Sequence, residues 1–246
     1  MSDWWRDFFD KDYLDIYGPV DAKKTAVEVE GIVKFLKLRK GSRVLDLCCG
    51  YGRHSLGLAQ KGFNVTGLDF SAVLLQRART DCKRKRTKLN LVRGDMREIP
   101  FEDEFDGVIN MFTAFGYFEN ESEDQKVLNG ICGALKTGGK LLLDTVNRDW
   151  LMRVYQENDW EKVGNDFYAL DERSFDPLTS RISAKTTILG GRRRRERHHS
   201  LRLYTLTELA SMISRAKMEL LSVYGHMDGR DYWIDTPRMV VLATKK

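Results

Sequence analysis

The run Val44-Leu45-Asp46-Leu47-Cys48-Cys49-Gly50-Tyr51-Gly52-Arg53-His54 constrains this chain more than any other stretch. Its first four residues, apolar or acidic, predict a short buried strand. Two glycines spaced by one residue follow, and apolar residues then recur at helical spacing at Leu56, Leu58 and Ala59. A strand feeding a glycine turn and then a helix gathers free backbone N–H groups and the positive end of the helix dipole at one spot. Gly50 and Gly52 let the chain turn sharply and let a ligand approach where a Cβ would collide. Asp46 at the strand end repels phosphate and attracts a cation or hydroxyls. These residues therefore suggest a nucleoside site without a pyrophosphate, with something positive near Asp46. A plain tight turn is the other reading they allow.

The order strand, turn, helix repeats through the first part of the chain. A short amphipathic helix is predicted over residues 3–16, with Trp5, Phe8, Phe9 and Leu14 on its apolar face, before Tyr17 and Gly18-Pro19 break the pattern. A second helix, capped by Asp21, runs to Leu38. Further strands are predicted at 63–69, 89–93, 105–111 and 140–144, with a helix capped by Ser71 and another over 122–135 between them. Continuous apolar runs, rather than strict alternation, indicate a parallel sheet covered on both faces. Ligands in such sheets sit beyond the carboxyl ends of the strands. Asp46, Asp69, Asp95 and Asn110 all fall at or just past those ends, and their convergence is a stronger signal than the glycine turn.

After Asp144 the rhythm changes. A short helix is expected over 147–155. From Trp160 to Tyr204 no helical period is found, and 167–170, 181–189 and 199–204 read as antiparallel strands turning at Asp176-Pro177 and Gly190-Gly191. Thr205 or Thr207 caps a last helix, and two strands close the chain. The expected architecture is α/β: a doubly wound, mainly parallel seven-stranded sheet over 1–154 and 205–246, with an inserted antiparallel β flap over 155–204.

At 42% hydrophobic and 31% charged residues, the composition suits a sizeable core and a charged surface. No apolar run approaches the ~20 residues needed to span a bilayer, and the acidic, aromatic start is unlike a signal peptide. The four cysteines have no metal-like spacing, and the natural expectation is a cytoplasmic protein without a bound metal. The net charge of +5 conceals two basic runs, Lys83 to Arg86 with Lys88, and Arg192 to Arg195 with Arg197. Such runs can track nucleic-acid phosphates, but without interleaved aromatics they read first as a solvated helix end and a solvated hairpin.

Taken together, Asp46-x-Cys-Cys-Gly50-x-Gly52, Gly67-Leu68-Asp69-Phe70-Ser71, Gly94-Asp95-Met96-Arg97 and Asn110-Met111-Phe112-Thr113-Ala114-Phe115-Gly116-Tyr117 resemble a class I S-adenosylmethionine-dependent methyltransferase. The resemblance covers about residues 10–150 and the last helix and strands. It is nearest the branch of amino-sugar and glycine/sarcosine N-methyltransferases, which carry an insertion after the fifth strand. One departure is Cys48, where the family often has glycine.

The resemblance implies S-adenosyl-L-methionine as cofactor, whose sulfonium and lack of phosphate suit an acidic strand end. It implies Asp46 near the methionine amino group, Asp69 on the ribose hydroxyls and Asp95 on the adenine amino group. Met96 would pack on the ring, with Gly50 and Gly52 lining the methionine and ribose; Phe70 and Asn110 join this set. Tyr17 and Arg53 are assigned to the cofactor carboxylate, with a helix-packing aromatic and a surface arginine as the alternatives. No committed base is visible. Tyr117 would orient the acceptor or serve as a lid aromatic. His199 and Tyr204 lie on the flap, and Arg173 and Arg202 would hold an acidic group of the acceptor. The expected activity is methyl transfer to a small molecule at nitrogen or oxygen, in a monomer or homodimer. An RNA methyltransferase using the basic runs and a non-catalytic scaffold with the same fold are the alternatives.

Overall fold

A computed structural model describes residues 3–16, 21–163, 167–190 and 193–246. Tyr17, Gly18, Pro19, Gly191 and Arg192, named above, lie outside the described residues. The main sheet has seven strands in the order β10-β11-β5-β4-β1-β2-β3. β1 (Arg43–Leu47), β2 (Asn64–Asp69), β3 (Asn90–Arg93), β4 (Phe105–Asn110) and β5 (Leu135–Val146) pair in parallel. β11 (Arg238–Lys245) runs antiparallel to β5, and β10 (Met218–Tyr224) antiparallel to β11, so β11 alone opposes the rest.

Both faces of the sheet are buried, for a reason visible along single strands. Leu141 and Leu143 point to one face and Leu142 to the other, so an unbroken apolar run feeds two cores at once. On one face α3 (Ala22–Leu36) and α4 (Arg53–Gln60) bring Val29, Ile32, Phe35 and Leu58 onto Val44, Val65, Ile109 and Leu142. On the other, α6 (Glu121–Ala134) and α8 (Leu206–Arg215) bring Val127, Ile131, Leu209 and Ile213 onto Leu45, Val108, Leu141 and Val241. Each such side chain contributes about 1.5–3 kcal/mol when fully buried.

The predicted caps form. Asp21 accepts from the Lys23 N–H, Ser71 accepts from the Leu74 N–H to start α5 (Ala72–Arg84), and Thr205 and Glu208 make a reciprocal capping box on α8.

Residues 3–16 do not form the single helix expected. They split into α1 (Trp5–Phe8) and α2 (Lys11–Ile16). The carbonyl of Phe9 accepts from the Ser71 hydroxyl at 2.6 Å, and Asp10 Oδ1 accepts from the Tyr13 N–H at 3.0 Å. Contact with the core and a local cap thus outweigh helical continuity.

After α7 (Arg148–Arg153) comes a separate antiparallel sheet, β6-β7-β8-β9. It comprises β6 (Asn158–Val163), β7 (Phe167–Asp176), β8 (Arg181–Gly190) and β9 (Arg193–Arg202). β6 was not expected: it is an edge strand with five exposed residues of six, so its sequence carries no burial signal. β9 begins earlier than expected and takes in the arginine run. Arg197 is not simply solvated there, because it turns back onto both carboxylate oxygens of Asp10 (2.7 and 2.8 Å) and the carbonyl of Phe8. The flap is tied to the core where the Arg202 N–H donates to the Gly116 carbonyl at 2.8 Å. Gly116 is required there, since a Cβ would stand 2.4 Å from the Arg202 oxygen and φ is +94°.

Candidate cofactor and active site

β1 lies between β2 and β4, with Leu47 opposite both Leu68 and Asn110, so the strand order reverses at its carboxyl end. Above this point opens a cleft of about 880 Å³, its mouth included, walled by Trp5, Phe9, Phe70, Met96, Phe112 and Phe118.

The acids divide into two kinds. Asp69 and Asp95 line the cleft. Asp69 accepts from the Gly50 N–H through Oδ2 (2.7 Å) and from the Ser71 N–H through Oδ1 (2.8 Å). Each oxygen keeps a second lone pair. Burial pushes its pKa up to about 6; the two N–H donors work against that rise and the nearby charge of Asp46 adds to it. Asp95 is clamped by Arg97, whose N–H and Nε donate to Oδ1 and whose Nη2 donates to Oδ2 at 2.6 Å. Burial pushes the Asp95 carboxyl up, but the hydrogen bonds and charge of Arg97 outweigh it and hold the group below its usual range. The same guanidinium reaches Glu123 and lies 4.5 Å from the centre of the Phe118 ring, stiffening that wall.

Asp46 does not reach the cleft lining. It is 1% exposed beneath the glycine turn, where its Oδ2 accepts from the Ser55 hydroxyl at 2.5 Å. Burial raises its pKa, with His54 and Arg53 opposing. Gly52 is also below the lining. It caps α4 at φ +77°, and a Cβ there would meet that of Ala78 at 3.3 Å. Asn110 is fully buried, donating to the Leu47 carbonyl, with its Oδ1 unpartnered.

Gly50 remains in the lining, yet its N–H is engaged by Asp69, and the Gly52 N–H donates to Cys49 O. The two glycines of the turn therefore spend their own N–H groups within the fold. Arg53 completes this end of the cleft. It pairs with Glu28, which also meets His54 Nε2 at 3.0 Å, and the Arg53 Nη2 is buried without a partner. Burial pushes Glu28 up, but His54 and Arg53 outweigh it and bring its pKa to about 2.

Three left-handed residues, at two places in the chain, stand beside the same cleft. Cys48 has φ +61°, and Phe112 and Thr113 have φ +61° and +62°. For L residues this left-handed region costs about 1–2 kcal/mol each. The family's usual glycine at the Cys48 position thus has a conformational reason. The Cys48 Sγ lies 3.4 Å from Met96 Sδ. Burial, reinforced by Asp69, Asp46 and Asp95, pushes its thiol well up, so it is an inert packing group.

Of the residues read as catalytic or acceptor-binding, only Tyr117 lines the cleft. Its ring stacks on Phe9 and meets Trp4 edge-on, and burial pushes its phenol well up. His199 sits one layer behind, against Trp4 and Phe8, its pKa lowered by burial. Tyr204 is 4% exposed and donates to Asp124. Arg202 pairs with Glu208, and Arg173 with Asp171 and Asp159. None of these four borders the cleft. Sequence reasoning missed Trp5, Phe9, Tyr13, Tyr51, His54 and Phe118 as lining. The aromatic N-terminal segment was the available signal for the first three; the others depend on tertiary placement. Among the described residues no cluster of His, Cys, Asp or Glu could hold a metal ion, and no helix is long and apolar enough to cross a membrane.

A family model described as a methyltransferase domain matches residues 44–139. An uncharacterized methyltransferase from Synechocystis is 31% identical over 163 residues, covering 61% of this chain and 74% of that protein. A glycine/sarcosine N-methyltransferase from Aphanothece halophytica is 33% identical over 52% of this chain. The match spans only 49% of that protein, and 58% of a putative methyltransferase from Bacillus subtilis. The fold is shared with an S-adenosylmethionine-dependent methyltransferase from Clostridium acetobutylicum, with TM-score 0.81 and 19% identity over 95% of this chain and 96% of that one. The CcbJ methyltransferase from Streptomyces caelestis superposes with TM-score 0.83 at 20% identity, over 95% of each chain. The chain belongs to the class I S-adenosylmethionine-dependent methyltransferases.

Proposed function

We propose that the protein transfers a methyl group from S-adenosyl-L-methionine to a small-molecule acceptor, at nitrogen or oxygen, by in-line displacement. The observation that carries this reading is Asp69: a buried carboxylate at the second strand's end, fixed by two backbone N–H groups, with lone pairs left for a pair of ribose hydroxyls. Asp95 takes the adenine amino group, and Phe70 and Met96 take the ring faces. Arg53 and Tyr17 take the carboxylate of the methionine moiety. Asp46, Gly52 and Asn110 support this site from below.

The cofactor supplies an electrophilic methyl group on a sulfonium. The chain's own part is alignment and exclusion of water, which can be worth about 7–11 kcal/mol. Trp5, Phe9 and Tyr117 close the cleft, and Tyr117, a neutral phenol, orients the acceptor by a hydrogen bond. The proton released by the acceptor passes to water. His199 holds Trp4 against Tyr117 and acts as a positioning residue. In this reading residues 1–154 and 205–246 hold the cofactor, 155–204 cover the acceptor, and the protein works in the cytoplasm.

Calorimetry with S-adenosylhomocysteine tests the reading. The wild type should bind, and Asp69→Ala should bind at least tenfold more weakly, since hydrogen bonds to a charged group contribute about 1.5–3 kcal/mol each. Equal affinity in both would remove the basis of the assignment.

A further inference from the structure

The sequence suggested Arg173 and Arg202 as holders of an acidic acceptor group, but the structure pairs Arg173 with flap carboxylates and Arg202 with Glu208 of α8. A different set of cations gathers at the mouth of the cleft. Phe112 lines the cleft yet remains 47% exposed. Around its ring stand Arg53 at 5.3 Å, Lys24 at 5.6 Å and Arg238 at 5.9 Å from the centroid.

The arrangement is held in place rather than left to a loose loop. Asp144 Oδ2 accepts from the Phe112 N–H at 3.0 Å, the Asp144 carbonyl accepts from the Thr113 N–H at 2.9 Å, and the Thr113 hydroxyl accepts from the Val146 N–H at 3.0 Å. Arg238 donates from Nε to Asp144 Oδ1 at 2.8 Å and forms an ion pair with the same carboxylate, Nη2 lying 2.8 Å from Oδ2. This network holds the left-handed pair Phe112–Thr113 and so fixes where the ring points.

The charges do not cancel. Glu28 offsets Arg53 and Asp144 offsets Arg238, but among the described residues Lys24 makes no ion pair. It stands in the first turn of α3, a fifteen-residue helix whose positive end adds to its charge. Arg53 adds to the same field from the cofactor side, its side chain only 10% exposed with Nη2 buried and unpartnered. Arg53 borders the cleft, whereas Lys24 and Arg238 do not, so the pair extends the positive field outward from the cofactor end.

We propose that Phe112, Lys24 and Arg238 form a subsite for an anionic group on the acceptor, a carboxylate or a phosphate, with the apolar body of the acceptor lying on the Phe112 ring. The proposal rests on the methyltransferase reading and narrows its substrate to acidic small molecules. Arg53 serves the cofactor carboxylate, and the outer two cations serve the acceptor.

The test is anion binding to protein already saturated with S-adenosylhomocysteine, using acetate and inorganic phosphate as separate probes followed by ligand-observed NMR. At least one probe should bind, the stronger one identifying the group, and its affinity should fall as salt is added. Lys24→Glu, at an exposed position that leaves the core untouched, should weaken it about fivefold or more. Lys83→Glu, on the remote end of α5, should not. The subsite is refuted if neither probe binds, if Lys24→Glu binds as the wild type does, or if the probes bind the free protein but not the saturated one, which would assign all the cations to the cofactor. Failure of S-adenosylhomocysteine itself to bind is a separate result and overturns the cofactor assignment first.

Discussion

Lowering the pH should weaken cofactor binding through one residue. Burial pushes the Asp69 pKa up to about 6, and a pair of ribose hydroxyls donates much more strongly to its ionised form, where both oxygens accept, than to the neutral acid. Binding should then weaken by up to the factor 1 + 10^(pKa − pH), which is near unity at pH 7.5 and about tenfold at pH 5. S-adenosylhomocysteine has no group that titrates in this window. Isothermal titration from pH 7.5 to 5 would show the fall. Asp69→Asn, which cannot titrate, should bind weakly and with a flat profile. Other nearby acids are separable: Asp95 lies below the usual carboxylate range, and Asp46 is beneath the lining and untouched by the substitution. A flat wild-type profile, or the same slope in Asp69→Asn, would refute the reasoning.

Other outcomes follow from the same structure. Asp124 is fully buried with its pKa pushed up to about 7, burial outweighing the Tyr204 hydrogen bond and the charge of Arg181. Its folded value lies above its unfolded one, so its ionisation opposes folding at neutral pH and the opposition fades as pH falls from 8 towards 4; Asp124→Asn should raise Tm at pH 8 and narrow its lead at pH 5. Cys48→Gly should be more stable than Cys48→Ala by about 1 kcal/mol in urea denaturation, because only glycine relieves the left-handed backbone. Thr205→Ala should cost about 1 kcal/mol by the same assay through loss of the capping box. Arg197→Gln should speed hydrogen exchange in residues 5–9, where Arg197 now ties the segment over the cleft.

Much of this was legible in the sequence, for a physical reason. Strands buried on both faces read as apolar runs, and helices capped by Asp21, Ser71 and Thr205 announce their own starts. That Asp69 and Asp95 share one cleft was legible too, because both sit at strand ends whose place the topology fixes. The partners of the flap side chains were not. Arg173, Arg202 and Tyr204 looked available, but the pairing of β7, β8 and β9 gives each a partner that no spacing reveals. Phe112 gave no sign of its exposure, since that comes from a backbone conformation held by Asp144 and Arg238, residues 32 positions further on and 94 beyond that. β6 was silent because an edge strand facing solvent needs no apolar alternation.

The most direct test of the central claim is a crystal structure with S-adenosylhomocysteine. The ribose hydroxyls should lie within hydrogen-bond distance of both Asp69 oxygens, the purine between Phe70 and Met96, and the amino-acid carboxylate at Arg53. A ligand bound elsewhere, or a ribose turned away from Asp69, would contradict it.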